Sequence, residues 1–246
     1  MNAVPERVGA AGRVVLVVGA SGGIGSALVS ALLEADAHEV IAAGRTTPAA
    51  SHPRVTPIHM DATQTSSVMK AAEIHGSRVD WVICVNGVNS NHRLAQYDEA
   101  AAREEMETNY FGLINIFYAF APAMKARRSG AIINILSALV HVNHPMMATY
   151  CASKAAAFSV TQAMRAELAT SGVRVRAVLA PAVNTRMSAH LMQPKLAPEA
   201  FAKLLIEALE GDEDDIYPAA AETLREALLR DRKAVERSFA AYIPIE

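Results

Sequence analysis

The sequence predicts an α/β fold, a doubly wound and mainly parallel sheet with helices on both faces, and three observations predict it. Short runs of β-branched residues alternate with longer segments of helical period along the chain. The runs are apolar almost throughout, as at residues 13–18 and 81–85, which is the pattern of strands covered on both faces and therefore of parallel pairing. No internal repeat, low-complexity tract or Pro/Ser/Gly-rich linker breaks the alternation, so residues 1–246 read as a single domain, although the length alone allows two.

In chain order, strands are predicted at 13–18, 39–43, 55–59, 81–85, 131–136 and 173–179, with a short edge strand at 215–217. Helices are predicted at 24–35, 65–74, 98–126 (broken or bent), 150–170, 199–209 and 221–238. Successive right-handed crossovers then wind the helices onto both faces of the sheet. Two stretches lack a period. Residues 44–54 carry Pro48 and Pro53 and read as a loop, and residues 185–194 run irregularly into a small lid at about 186–197.

Composition narrows the function. Apolar residues make up 52% of the chain, enough for a sizeable core, and the formal net charge is −2. A near-neutral balance with no basic tail argues against a nucleic-acid partner or an anionic membrane held by bulk charge. Residues 1–12 lack the apolar core of a secretion signal, and the greasy stretch 110–124 contains Asn115 and Pro122 and is too short to span a bilayer. Two cysteines, Cys84 and Cys151, make no disulfide framework and read as buried thiols of a reducing cytoplasm. His141 and His144 have no carboxylate or cysteine at ligand spacing, so no metal site is expected.

The first strand runs into Gly19-Ala20-Ser21-Gly22-Gly23-Ile24-Gly25, and a helix follows. Glycine permits positive φ and close approach of the backbone to a ligand, and a helix N-terminus offers free N–H groups to a pyrophosphate. Strand, glycine turn and helix together are the signature of a Rossmann-type dinucleotide site. Arg45 follows the second strand, where the adenosine ribose lies, and Gly44 stands in place of an acidic residue. A guanidinium suits a 2′-phosphate, so NADP is favoured over NAD. Asp61 and Ala62, just past the third strand, are placed beside the adenine; Asp61 either accepts from its amino group or caps the helix at 65–74.

These motifs and their order resemble the short-chain dehydrogenase/reductase family over about residues 13–187. Gly19, Gly23 and Gly25 fit its glycine pattern, Tyr150-Cys151-Ala152-Ser153-Lys154 fits its Tyr-x-x-x-Lys motif, Ser137 closes the fifth strand thirteen positions before Tyr150, and Asn109 lies in Thr-Asn-Tyr-Phe-Gly. The resemblance implies catalytic roles for Asn109, Ser137, Tyr150 and Lys154. Tyr150 exchanges the proton with the carbonyl oxygen, its phenolate favoured by the Lys154 ammonium; Ser137 hydrogen-bonds the same oxygen; Lys154 holds the nicotinamide ribose; Asn109 positions a water between Lys154 and solvent. The phenol's ordinary pKa near 10 is why such tuning is needed. It also implies that Pro181, Val183 and Thr185 reach the nicotinamide, and that the helices at 98–126 and 150–170 pair between subunits in a homodimer or homotetramer.

The pattern departs in two places. After the fourth strand the family has Asn-Asn-Ala-Gly and this chain has Cys84-Val85-Asn86-Gly87, which puts the anchoring of that loop in doubt; Asn86 is shifted by one position and Gly87 leaves room for the adenosine side of the cofactor. After the sixth strand Pro-Gly becomes Pro181-Ala182, a conflict if positive φ is required there. The substrate pocket is expected along 89–93, His141, His144, Met146, Met147 and Met187, favouring a hydrophobic ketone, aldehyde or secondary alcohol. The sequence thus reads as an NAD(P)-dependent carbonyl reductase or alcohol dehydrogenase. Two alternatives stay open: a dinucleotide-binding regulator with little turnover, and a lyase or dehalogenase on the same scaffold.

Overall fold

The computed structural model describes residues 9–50, 52–192 and 194–243. The first eight residues, on which most of the signal-peptide argument fell, lie outside the described set. Seven parallel strands form one sheet in the order β3-β2-β1-β4-β5-β6-β7. They are β1 (Val14–Val18), β2 (Glu39–Gly44), β3 (Val55–His59), β4 (Trp81–Cys84), β5 (Gly130–Ser137), β6 (Val173–Ala180) and β7 (Asp215–Ile216). The order reverses between β1 and β4, and at such a switch point a crevice opens beyond the C-terminal strand ends.

The helices are α1 (Gly23–Glu34), α2 (Thr65–His75), α3 (Glu99–Met106), α4 (Gly112–Arg127), α5 (Ala148–Leu168), α6 (Pro198–Ala208) and α7 (Ala220–Ser238). Because β1, β4 and β5 are buried on both sides, alternate residues feed two cores. Val15, Val17, Ile83 and Ile133 face α1 and α6 with Leu28, Leu32, Phe201 and Leu205. Leu16, Val82 and Ile132 face α2, α4 and α5 with Val68, Phe120, Met124 and Met164. Residues 45–50 and 52–54 form a loop with no helix, as the two prolines imply. Among the described residues, no helix is long and apolar enough to cross a membrane.

The predicted long helix at 98–126 is two helices joined by a π-helical turn, Glu107–Phe111. A π-turn holds one residue more than the α-helical register accommodates, and such turns gather at functional sites. It carries Asn109. The Ala182 conflict does not arise, since no positive φ falls at that position.

Candidate active site

Gly19 follows β1 with φ +89, and a Cβ there would lie 2.9 Å from the backbone nitrogen of Asn86. Gly25 sits so close to the carbonyl of Gly19 that a Cβ would overlap it. Both glycines are thus required by the turn itself. It delivers the chain into α1 with Gly22 as its N-cap and no side-chain cap, so the first-turn N–H groups stay open to an anion. A groove of about 850 Å³ runs from this turn to the β2 end, lined by Gly19, Ser21, Gly22, Gly23, Ile24, Gly25, Arg45, Asp61, Ala62, Asn86, Gly87 and Thr185. Twelve of the sequence-predicted cofactor residues therefore converge on one surface. Ser21 and Thr46 crowd Gly44, and Arg45 is exposed beside them.

Asp61 is not a cap of α2. Its Oδ1 accepts from the amide and hydroxyl of Thr63 at 2.9 and 2.8 Å, an Asx-type turn that ends before Gln64, the residue at the N-cap. The loop after β4 is anchored despite its altered motif: Asn86 Nδ2 donates to the Thr108 carbonyl at 2.8 Å. Gly87 lines the groove and also borders the catalytic end. A Cβ there would meet Asn109 Oδ1 at 3.2 Å and Lys154 Nζ at 3.4 Å, so glycine keeps a space open between those groups.

The π-turn points Asn109 inward, where it is 3% exposed. Its Nδ2 donates to the Val88 carbonyl (2.9 Å) and to Ser153 Oγ (2.8 Å), and its Oδ1 accepts from the Val88 amide (2.9 Å). Ser153 Oγ in turn donates to the carbonyl of Tyr150 at 2.7 Å. With both N–H groups bonded to protein, the side chain clamps the β4 loop to the start of α5. Tyr150 and Lys154, one helical turn apart, lie on the same face of α5. Lys154 Nζ donates to the Ile135 carbonyl at 3.2 Å, and Ser137 Oγ accepts from the Leu139 amide at 3.2 Å while meeting the Tyr150 hydroxyl.

Burial sets the electrostatics. It raises the Tyr150 phenol above its ordinary value; the Ser137 hydroxyl works the other way, and Glu105 adds to the rise. It pushes Lys154 down to about 8. Both cysteines are buried free thiols, Cys84 raised to about 12 and Cys151 to about 11 by desolvation.

A second cavity of about 710 Å³ adjoins the groove, sharing Ile24, Val85, Gly87, Asn89, Thr185 and Met187 with it. Ser137, Tyr150, Lys154, Pro181 and Val183 line it, with His144, Met147 and Met187 from the predicted pocket set. His141 and Met146 do not. His141 Nε2 meets the Tyr217 hydroxyl at 2.8 Å, outside the cavity. Of residues 89–93 only Asn89 reaches the lining. Sequence reasoning placed the lid at about 186–197; the structure adds lining from much later in the chain, Leu224, Phe239 and Tyr242. Phe239 and Tyr242 pack on the His144 ring at 5.1 and 4.6 Å. Their only sequence signal is an aromatic pair after the last amphipathic helix. Glu105 was also missed. It is 1% exposed, accepts from the Ser90 amide at 2.7 Å and leaves Oε2 without a partner, in a helix whose other acids face solvent.

The short chain dehydrogenase family model matches residues 13–195, and the chain belongs to that family. A short-chain dehydrogenase of Penicillium ochrochloron, ptmH, is 32% identical over 212 residues, covering 82% of this chain and 78% of that protein. The oxidoreductase claN of Passalora fulva is 32% identical over 204 residues, covering 79% and 92%. A short-chain dehydrogenase from Burkholderia cenocepacia, solved in complex with NADP, superposes with a TM-score of 0.88 at 39% identity and covers 94% of this chain and 99% of that one.

Proposed function

We propose that this oxidoreductase interconverts a ketone or aldehyde and the corresponding alcohol with NADP(H), Tyr150 serving as general acid in reduction and general base in oxidation. The observation that carries the reading is the seam: Ser137, Tyr150 and Lys154 face an apolar cavity at the place where it opens into a glycine-walled groove. The groove fits a dinucleotide, with the uncapped α1 N-terminus for the pyrophosphate and the space kept by Gly87 beside Lys154 for the nicotinamide ribose. When bound, NADP(H) supplies or accepts the hydride.

The chain's own residues do the rest. Ser137 and Tyr150 donate hydrogen bonds to the carbonyl oxygen and fix it against the cavity wall. The raised Tyr150 pKa keeps the phenol protonated across neutral pH, ready to give its proton as the oxygen gains charge. Lys154 holds ribose hydroxyls, and the Asn109–Ser153–Tyr150 chain of hydrogen bonds keeps the catalytic tyrosine in place. Thr185 closes over the seam, its methyl against Gly23. Preference for NADP rests on Arg45, Ser21 and Thr46 at the ribose end, with no carboxylate there but Asp61, and on the nucleotide held by the Burkholderia relative.

Phe111 and Tyr118, exposed by 44% and 65% along the π-turn and α4, support assembly into a homodimer or homotetramer. Analytical ultracentrifugation of wild type against Tyr118→Asp tests that point, and a monomeric wild type overturns it. The function is tested by following NADPH and NADH oxidation over a panel of ketones and aldehydes, with Tyr150→Phe as the blank. Carbonyl-dependent oxidation that vanishes in the variant supports the reading. Nucleotide binding without turnover favours a regulatory role, and absence of binding overturns the dinucleotide assignment.

A further inference from the structure

We infer that the substrate is an apolar carbonyl or alcohol compound bearing an anionic group, and that Lys195 holds that group. The inference rests on the reading of the 710 Å³ cavity as the substrate site and deepens it. The walls are built of Leu139, Met147, Met187, Leu224 and Phe239, and no aspartate or glutamate is among the lining residues. Two lysines are. Lys154 is at the reacting end, bonded to the Ile135 carbonyl. Lys195 is the other, half-buried, and no carboxylate among the described residues pairs with it.

Lys195 is held in place. Its Nζ donates to the Ser188 carbonyl at 3.0 Å. Ser188 is fixed by its own hydroxyl, which donates to the carbonyls of Val183 and Thr185 and accepts from the Thr185 amide. The backbone on the far side of Lys195 is tied as well: Leu196 donates to Ala182 and accepts from Asn184, at 2.9 and 2.8 Å. The ammonium is therefore preorganised, with one of its three N–H groups spent on a neutral carbonyl and two left to use. A cation half-removed from water, in an apolar lining with only a neutral partner, is satisfied best by an anion arriving with the ligand. Cavities of this size hold a drug-sized or medium-chain ligand. A tether role alone, in which Lys195 merely ties the segment to Ser188, makes the opposite prediction, namely no discrimination between charged and neutral ligands.

The test is binding rather than turnover. Calorimetric titration of the NADP-saturated protein with decanoate and with 1-decanol compares ligands of one chain length that differ in charge. Wild type should bind decanoate the more tightly; Lys195→Met should weaken decanoate about ten- to hundredfold, leave 1-decanol unchanged, and be rescued by Lys195→Arg. Equal affinity of wild type for the two ligands overturns the proposal with no variant needed, and so does an equal loss for both in Lys195→Met. Lys195-dependent decanoate binding by a protein that reduces no carbonyl would leave this inference standing and remove the reductase reading. Turnover of neutral ketones with no decanoate preference would do the reverse.

Discussion

The groove and the substrate cavity meet at one seam and are built in different ways. The groove is made by short, continuous segments at the C-terminal ends of adjacent strands: the glycine turn after β1, Arg45 after β2, Asp61 after β3, Asn86 after β4. Its shape is fixed by backbone, through positions where a Cβ has no room. The cavity is assembled from residues far apart in the chain, from Ile24 to Tyr242, and one wall is a helix that starts after Ala219 at φ +50 and is kinked at Asp231. A binding surface written in backbone is specified locally and tolerates little change; one written in side chains across distant segments is free to vary with the ligand.

Substitutions can break this contrast. Tyr150→Phe, at the seam, should lower kcat by about 10²–10⁴-fold with NADPH affinity unchanged, measured by steady-state kinetics and nucleotide titration. Gly19→Val attacks the groove's backbone, and its positive φ and 2.9 Å approach to Asn86 should cost about 2–4 kcal/mol and most nucleotide binding, read from denaturant unfolding and a binding isotherm. Arg45→Ala touches only a side chain of the same groove: NADPH affinity should fall about tenfold while NADH stays within about twofold. Phe239→Ala, in the cavity wall, should raise KM for a bulky ketone about three- to tenfold and leave both nucleotides alone.

The smallest effect is one of pH. Lys154 has its pKa lowered from 10.5 to about 8 in the folded chain. Between those values the unfolded chain binds the proton that the folded chain has released, so stability rises with pH across the window. Relative to Lys154→Met, wild type should gain about 4–8 °C in Tm on going from pH 8 to pH 10. A flat difference would show that the ammonium's bond to Ile135 offsets its burial.

The same contrast explains what could be read from the chain alone. Apolar runs between helical periods place all seven strands within a residue or two, and in β1, β2, β4, β5 and β6 burial on both faces leaves little choice of side chain. Tyr150, Lys154 and the glycine turn are legible since their geometry is set within a few residues of sequence. Phe239 and Tyr242 are not, because nothing local says that the end of the chain folds back over His144. Glu105 hides among Glu99, Glu104 and Glu107 in a charged helix, and only tertiary packing marks it as the buried one. His141 misled for a similar reason, as its partner Tyr217 lies 76 positions away.

The π-turn at Glu107–Phe111 carries a further implication for how this chain can change over time. Deleting one residue there would restore a continuous α-helix from α3 to α4, with better hydrogen bonds and greater stability. It would also rotate everything on one side by about 100°, the angle per residue of an α-helix, and swing Asn109 away from Val88 and Ser153. Selection for a sturdier fold and selection for a placed tyrosine therefore pull this five-residue stretch in opposite directions, and the surplus residue records which of them has prevailed.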